Sequence, residues 1–275
     1  MKNIKINKEF GIDNIKDSFS CIFNDHTKLN HISLKEFERK ISDFSMSRNK
    51  LRSMLPFKVY PKAFSISLES GSGMNQPDIG LVESIKRRRS IRTFKKFKVS
   101  LQEVSYLLQY SYGITKTIRV NVGGEHIDVG LRSVPSGGAL YPLEIYVAIY
   151  GGDFKDGFYH YRADNNTIEY ICDIIPKEDL SRIINADPVV EIKNVSMIFF
   201  VTSILERYIL KYGDRGYKFM LQETGFVMGN LSLLSVSLGL GTCLLGGFLD
   251  EEVNRLLGID GLFETINSVL VIGKE

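Results

Sequence analysis

The chain has 275 residues, 44% of them apolar, and a formal charge of only +3 at neutral pH. That length suits one large α/β domain with a smaller appendage, and the near-neutral charge gives no reason to expect a nucleic-acid partner. No apolar run is long enough to span a bilayer, and Cys21, Cys172 and Cys243 are too few and too far apart for a disulfide framework or a zinc site. The first ten residues lack the hydrophobic stretch of a secretory signal, so a cytoplasmic, membrane-free protein is expected.

Residues 1–75 read as an extension ahead of a domain over 76–275. Within the extension, 33–44 places Leu34, Phe37, Ile41 and Phe44 at helical spacing, with Ser33 and Glu36 as a capping box. The stretch 54–67 is predicted extended because Pro56 and Pro61 break a helix. Loop composition over 71–80 (GSGMNQPDIG) marks the boundary. A short helix is predicted over 81–86. A second follows over 100–112, where Ser100 and Glu103 form a capping box beneath one apolar stripe. Strict alternation over 117–131 about Gly123 and Gly124 predicts a β-hairpin.

Core strands are expected at 144–150, 158–162, 167–172, 196–202 and 266–272, with helices at 176–185, 204–212, 215–238 and 250–257. The helix over 215–238 is apolar nearly all round, which predicts a central buried position. Gly225 and Gly229 on it would admit another helix closely. The order of elements fits an α+β fold, with helices around a mainly antiparallel sheet.

Three segments carry candidate chemistry. In Arg88-Arg89-Ser90-Ile91-Arg92, alternate residues Arg88, Ser90 and Arg92 would project to one side of an extended backbone. Two guanidinium groups flanking a hydroxyl suit a phosphate, although taken alone the run reads better as a solvated basic loop. The second segment, Arg132-Ser133-Val134-Pro135-Ser136-Gly137-Gly138-Ala139-Leu140-Tyr141-Pro142, holds small residues between two prolines in a loop whose backbone can approach a flat ligand. The third runs from Gly239 to Phe248, opening on a glycine suited to cap the preceding helix and offering exposed amides at Gly246 and Gly247. Each glycine-rich piece by itself also reads as an ordinary connection. Cys243 lies in the third segment without an identifiable base and reads as packing.

In this order and spacing the segments resemble the flavin-binding pattern of the nitroreductase-like FMN oxidoreductases. There an RRSxR element meets the phosphate and ribityl chain, a PSxG loop lies along the flavin, and a GLGxxxxGG element borders the reactive ring edge. The wording PSGGALYPLE, with Arg132 just upstream, is similar to the SagB-type branch, which oxidises azolines. The resemblance covers roughly residues 80–273 and implies a nitroreductase-like α+β fold holding FMN. The implied contacts are Arg88, Ser90 and Arg92, then Pro135, Ser136, Gly137 and Gly138, then Leu245, Gly246 and Gly247.

Lys211-Tyr212, followed by Arg215-Gly216-Tyr217 and Glu223-Thr224-Gly225, is similar to the stretch of azoline dehydrogenases that holds an adjacent Lys–Tyr pair. By that resemblance Lys211 and Tyr212 are the catalytic pair, one of them serving as base for the Cα proton. As a bare dipeptide they would read as a surface pair at a helix end.

The resemblance further implies a homodimer, a thiazoline- or oxazoline-bearing peptide as substrate, and work alongside a cyclodehydratase complex. Rival expectations are an NAD(P)H-dependent nitro or quinone reductase on the same fold, or a scaffold subunit of a peptide-modifying complex. Ordinary nitroreductases carry a basic phosphate contact after the last strand, and Lys274 is the candidate for that place.

Overall fold

The computed structural model describes residues 18–46, 57–69, 79–122 and 125–275. Most of the expected boundary loop, 71–78, and the hairpin tip at Gly123 and Gly124 lie outside the described residues.

A seven-stranded antiparallel sheet forms the centre. From edge to edge it runs β1 (Ser65–Ser67), β6 (Thr167–Cys172), β5 (Gly157–Arg162), β4 (Leu143–Ile149), β7 (Met197–Ile204), β9 (Glu264–Lys274) and β8 (Leu240–Leu245). The middle strands β4 and β7 are buried along nearly their whole length, which is why they read as continuous apolar runs. Side chains alternate between two cores. One core joins Leu143, Ile145, Val147, Phe199 and Leu270 to helices α4 (Leu101–Tyr112) and α7 (Gly216–Ser237). The other joins Tyr146, Phe158, Phe200 and Val271 to α5 (Lys177–Ile183) and α8 (Asp250–Leu257). The predicted hairpin forms a separate two-stranded sheet, β2 (Ile114–Val122) with β3 (Glu125–Arg132), and β3 feeds directly into the loop at 133–142.

The second face of the sheet carries a row of buried charge. His160 Nε2 lies 2.8 Å from Glu144 and its Nδ1 lies 3.1 Å from Glu169, while Arg207 closes on Glu144 at 2.7 Å and Arg162 on Glu169 at 3.1 Å. Burial works against an imidazolium at His160, but the bonds and charge of the two glutamates outweigh it and raise its pKa. Burial likewise opposes ionisation of Glu144, yet Arg207 and His160 draw its pKa down to about 2. Residues 57–69 wrap the sheet edge, with Lys58 and Tyr60 on this face and Phe57, Ile66 and Leu68 in the first core. Lys58 bonds Glu264 at 2.5 Å and the Tyr146 hydroxyl at 2.7 Å, and β1 pairs with β6.

Two local expectations need correction. In helix α2 (His31–Met46) the cap is Asn30 rather than Ser33. The Asn30 Oδ1 accepts the amides of Ile32 and Ser33 at 2.9 Å, and Ser33 Oγ accepts the Asn30 amide in return. Starting one turn earlier leaves Glu36 free to pair with Lys40. Helix α7 is also not buried all round. Met220, Glu223, Val227 and Leu231 face inward, but Tyr217, Leu221 and Phe226 are 40%, 46% and 48% exposed, and beyond the local helix backbone nothing among the described residues lies within 4 Å of where a side chain would begin at Gly225 or Gly229. Its outer face is apolar and open.

Candidate functional site

The basic segment follows helix α3 (Leu81–Arg87) and runs alongside the free edge of the sheet. Ser90 bridges Thr242 of β8 in parallel, and the Ile91 amide donates to the Thr242 carbonyl at 2.8 Å. The Ile91 side chain lies against Gly241, where a Cβ would come within 2.7 Å of it, so only glycine permits the contact. With Ile91 turned inward, Arg88, Ser90 and Arg92 are all exposed. Among the described residues no carboxylate pairs with Arg88 or Arg92, and Arg92 reaches only the Ser90 carbonyl at 3.4 Å.

Strand β8 ends at buried Leu245 and passes into exposed Gly246 and Gly247, with open space around Gly246. The sheet edge thus gathers the first and third sequence segments into one surface of unneutralised donors. Cys243 beneath it is buried, and burial pushes its thiol up against the opposing pull of Arg92, so it serves packing rather than nucleophilic attack. Lys274 pairs with Leu240, at the opposite end of β8 from Gly246, with its ammonium 5.9 Å from the Phe97 ring.

The Pro135–Pro142 loop has a different character. Ser136 Oγ accepts the Tyr141 amide at 2.9 Å and lies 2.8 Å from the Tyr208 hydroxyl, which also takes the Gly137 amide at 2.7 Å. Gly138, Ala139 and Tyr141 all have positive φ, at 65°, 53° and 44°. Two of these are not glycine, so the turn is strained and must be held by its surroundings. The holding bonds are visible. The Tyr141 hydroxyl accepts the Arg132 amide at 2.9 Å, and its carbonyl accepts Arg207 at 3.0 Å. Pro135 and Gly138 are exposed, while Ser136 and Gly137 are half-buried.

Lys211 and Tyr212 close helix α6 (Glu206–Tyr212), which carries Tyr208 one turn earlier on the same face. Both side chains converge on the loop at Gly138. A Cβ there would collide with the Lys211 ammonium and lie 2.8 Å from the Tyr212 hydroxyl. Helix α2 roofs the pair, with Phe37 stacked on Tyr212 at 6.1 Å and the Phe44 ring 5.8 Å from Lys211 Nζ. Burial pushes the Tyr212 phenol above its ordinary pKa.

The loop and the edge segments sit at different heights on the sheet. The loop enters β4 at Leu143, whereas Leu245 is level, through Val269 and Phe200, with Tyr146 in mid-β4, and Ser90 is level, through Thr242, Ile272 and Met197, with Ile149 at the far end of β4. Strands β7 and β9 stand between β4 and β8, giving three spacings, or roughly 14 Å. The sequence segments therefore form two arms, the edge arm and the loop arm with its Lys–Tyr pair.

Sequence reading missed what anchors the loop arm, namely Tyr208, Glu223, Tyr112 and Arg207. One signal was available: Glu223 is a lone carboxylate in the middle of an otherwise apolar helix, and such a residue needs partners when buried. Among the described residues no cluster of three or more metal-ligating side chains occurs, and no helix is long and apolar enough to cross a membrane.

Comparison with known proteins places this architecture. A family model described as the Nitroreductase family matches residues 85–274. The nitroreductase homologue MJ1384 of Methanocaldococcus jannaschii is 32% identical over 183 residues, 66% of this chain and 86% of its own length. The trifolitoxin-processing protein TfxB of Rhizobium leguminosarum is 28% identical over 65% of this chain, and the microcin B17-processing protein McbC of Escherichia coli is 26% identical over 47%. The matches span only about half the length of these two relatives, 48% and 49%.

Among solved structures, a nitroreductase-like protein of Anabaena variabilis superposes with a TM-score of 0.69 and 25% identity, over 91% of this chain and 45% of that one. A chain of the E. coli microcin synthetase McbBCD complex, solved with truncated pro-MccB17 bound, gives 0.58 and 20%, over 94% and 99%. With the antiparallel sheet, the flanking helices and a family match over more than two thirds of its length, this chain belongs to the nitroreductase family.

Proposed function

We propose that this protein is an FMN-dependent dehydrogenase of the SagB type, oxidising thiazoline or oxazoline rings of a modified peptide to thiazoles or oxazoles. The observation that carries the reading is the convergence of Lys211 Nζ and Tyr212 Oη on Gly138 of the PSGG loop. Ring dehydrogenation needs a base for the Cα proton beside the group that takes the hydride, and a Lys–Tyr pair docked on the flavin loop supplies one. Similarity to two peptide-processing proteins supports the substrate class.

The donor set fits FMN. Arg88, Ser90 and Arg92 would hold the phosphate with unneutralised guanidinium groups and a free hydroxyl. The backbones of Pro135, Ser136, Gly137 and Gly138 and of Leu245, Gly246 and Gly247 would border the ring system. Bound FMN supplies the hydride acceptor. The chain's own part is to seat the ring, exclude water beneath the α2 roof, and move one proton. Burial raises the pKa of the Tyr212 phenol, which suits Tyr212 as a hydrogen-bond donor, and Lys211 in its neutral form would be the base. A homodimer formed through the open apolar face of α7 is part of the proposal, as is work within a cyclodehydratase complex.

The similarity to MJ1384 favours a second reading, an NAD(P)H-dependent nitro or quinone reductase. Anaerobic stopped-flow reduction separates the two. The purified protein should be yellow, release FMN on denaturation, and bleach when mixed with an azoline peptide. Rapid bleaching by NADPH, with none by the peptide, would select the reductase. A colourless protein that takes up no FMN would end both readings.

A further inference from the structure

We infer that Glu223 is the positioning residue of this site, a single buried carboxylate that clamps both ends of the PSGG loop through the phenols of Tyr208 and Tyr112 and thereby sets the Lys211–Tyr212 pair against it. The inference rests on the proposed dehydrogenase reading for its kinetic consequences and on geometry alone for the clamp.

Glu223 is 1% exposed. One of its oxygens accepts the Tyr208 hydroxyl at 2.6 Å and the other accepts the Tyr112 hydroxyl at 2.9 Å. Each phenol oxygen in turn accepts a backbone amide, Gly137 to Tyr208 at 2.7 Å and Leu143 to Tyr112 at 3.2 Å. Those amides bracket the strained stretch that contains Gly138, Ala139 and Tyr141.

An amide only donates, so both phenol oxygens accept from the loop. An ionised Glu223 only accepts, so beside it both phenol protons turn to the carboxylate and the Ser136 hydroxyl, 2.8 Å from Tyr208, donates. An ionised carboxylate is the side chain that satisfies two such donors at once. A carboxamide would set its NH2 against one phenol proton, and a protonated acid would leave one proton without an acceptor. Burial pushes the Glu223 carboxyl above its ordinary pKa and outweighs the opposing bonds from Tyr208, Ser136 and Tyr112 and the charge of Arg132. The Arg132 guanidinium lies 4.2 Å from the centre of the Tyr112 ring, where it partly offsets the buried charge.

The same clamp reaches the proton-transfer pair. Tyr208, Lys211 and Tyr212 share one face of α6, so fixing the Tyr208 hydroxyl fixes the rotation and height of that face over Gly138. Displacements of about 1 Å in such a pair cost on the order of 100-fold in rate.

The test uses Glu223→Gln, Tyr208→Phe and Tyr112→Phe in the full chain. Hydrogen exchange of the cofactor-free protein reads the clamp without reference to activity. Exchange at Gly137 should speed by about 10-fold or more in Tyr208→Phe, at Leu143 in Tyr112→Phe, and at both in Glu223→Gln. With FMN bound, azoline-peptide-driven flavin reduction should fall roughly 100-fold in kcat for Glu223→Gln and Tyr208→Phe. Peptide KM should stay within about 3-fold, and FMN affinity should fall less than in the arginine variants, because neither residue belongs to the phosphate arm. The two losses should not multiply in the double variant, since both act through one hydrogen bond, whereas independent packing defects would multiply.

Unchanged exchange at both amides would overturn the clamp, and Tyr208→Phe keeps that test open if Glu223→Gln fails to fold. Altered exchange with wild-type kcat would overturn the positioning role. If wild-type protein is not reduced by azoline peptides while exchange responds as expected, the clamp stands and the dehydrogenase reading falls.

Discussion

The two arms of the site are built on opposite plans. On the edge arm, Arg88, Ser90 and Arg92 point to solvent without a carboxylate partner, and Gly246 has open space around it. On the loop arm almost every polar group is already engaged, through Ser136, Gly137, Tyr208 and Glu223. An arm that leaves its donors unmatched is prepared to bind something brought from outside. An arm that matches them internally is prepared to hold its own shape against strain. Binding and catalytic geometry should therefore respond to different substitutions, and each experiment below tries to make them respond together.

The largest effect is expected at Lys211. Lys211→Ala should slow azoline-driven flavin reduction about 10²–10⁴-fold with FMN content unchanged, the usual contribution of a positioned base. Single-turnover absorbance measurements that return wild-type rates would make the pair structural and dissolve the contrast.

Gly138→Ala comes next. The residue sits at φ 65° and its Cβ would collide with the Lys211 ammonium, so a cost of about 1–3 kcal/mol is expected in denaturant unfolding, along with slower reduction. FMN affinity should fall less than in the arginine variants below, because Gly138 would border the ring system through its backbone alone. Arg92→Ala and Arg88→Ala should show the reverse pattern. FMN binding should weaken by about 1–3 kcal/mol, read by fluorescence titration, with kcat preserved at saturating FMN. A loss of kcat without a loss of affinity in either arginine variant would contradict the division.

The smallest effect concerns pH. The pKa of His160 is raised in the folded protein, so its contribution to stability is complete below its ordinary value of 6.5 and is lost as pH rises through the folded value. Glu144, drawn down to about 2, works the other way. Its contribution is present above the ordinary 4.5 and is lost only as pH falls towards 2. Thermal unfolding of wild type should therefore weaken as pH is raised past neutrality, and His160→Gln should lack that component. Because Glu144 holds Arg207 at the base of α6, any kinetic echo should appear in the loop arm and leave FMN affinity alone.

Much of the sheet was legible because β4, β5, β6, β7 and β9 announce themselves as apolar or alternating runs, and the Ser100–Glu103 capping box marks the start of α4 unambiguously. The three-residue β1 lies in the stretch read as extended, but its place in the sheet was not legible. It exists because it pairs with β6, a contact that local composition does not encode. The cap of α2 was misplaced because Asn30 and Ser33 are both competent caps, and the Asn30 side chain takes the amides of Ile32 and Ser33 while Ser33 takes the Asn30 amide.

In the site, the residue types that meet a ligand stood out as short motifs. The residues that hold those motifs did not, because Tyr112, Tyr208 and Glu223 are far apart in sequence and meet only when α4, α6 and α7 pack. The outer face of α7 misled for a related reason: apolar composition reports burial somewhere, and Leu221 and Phe226 do not find it within one chain.

The extended segment at 88–92 has one more consequence. Every open sheet ends in two rows of unused backbone groups, which invite other strands to add and chains to aggregate. Here one border is the three-residue β1, too short to template much, and the other is β8, part of whose outer rim is occupied by Ser90 and Ile91 with Arg88 and Arg92 projecting beyond. For a protein proposed to handle extended peptides, a bare rim would be a standing invitation to capture them in the wrong place. The arginines assigned to a phosphate thus also act as gatekeepers, and a variant that neutralises both should be screened for fibril formation as well as for colour.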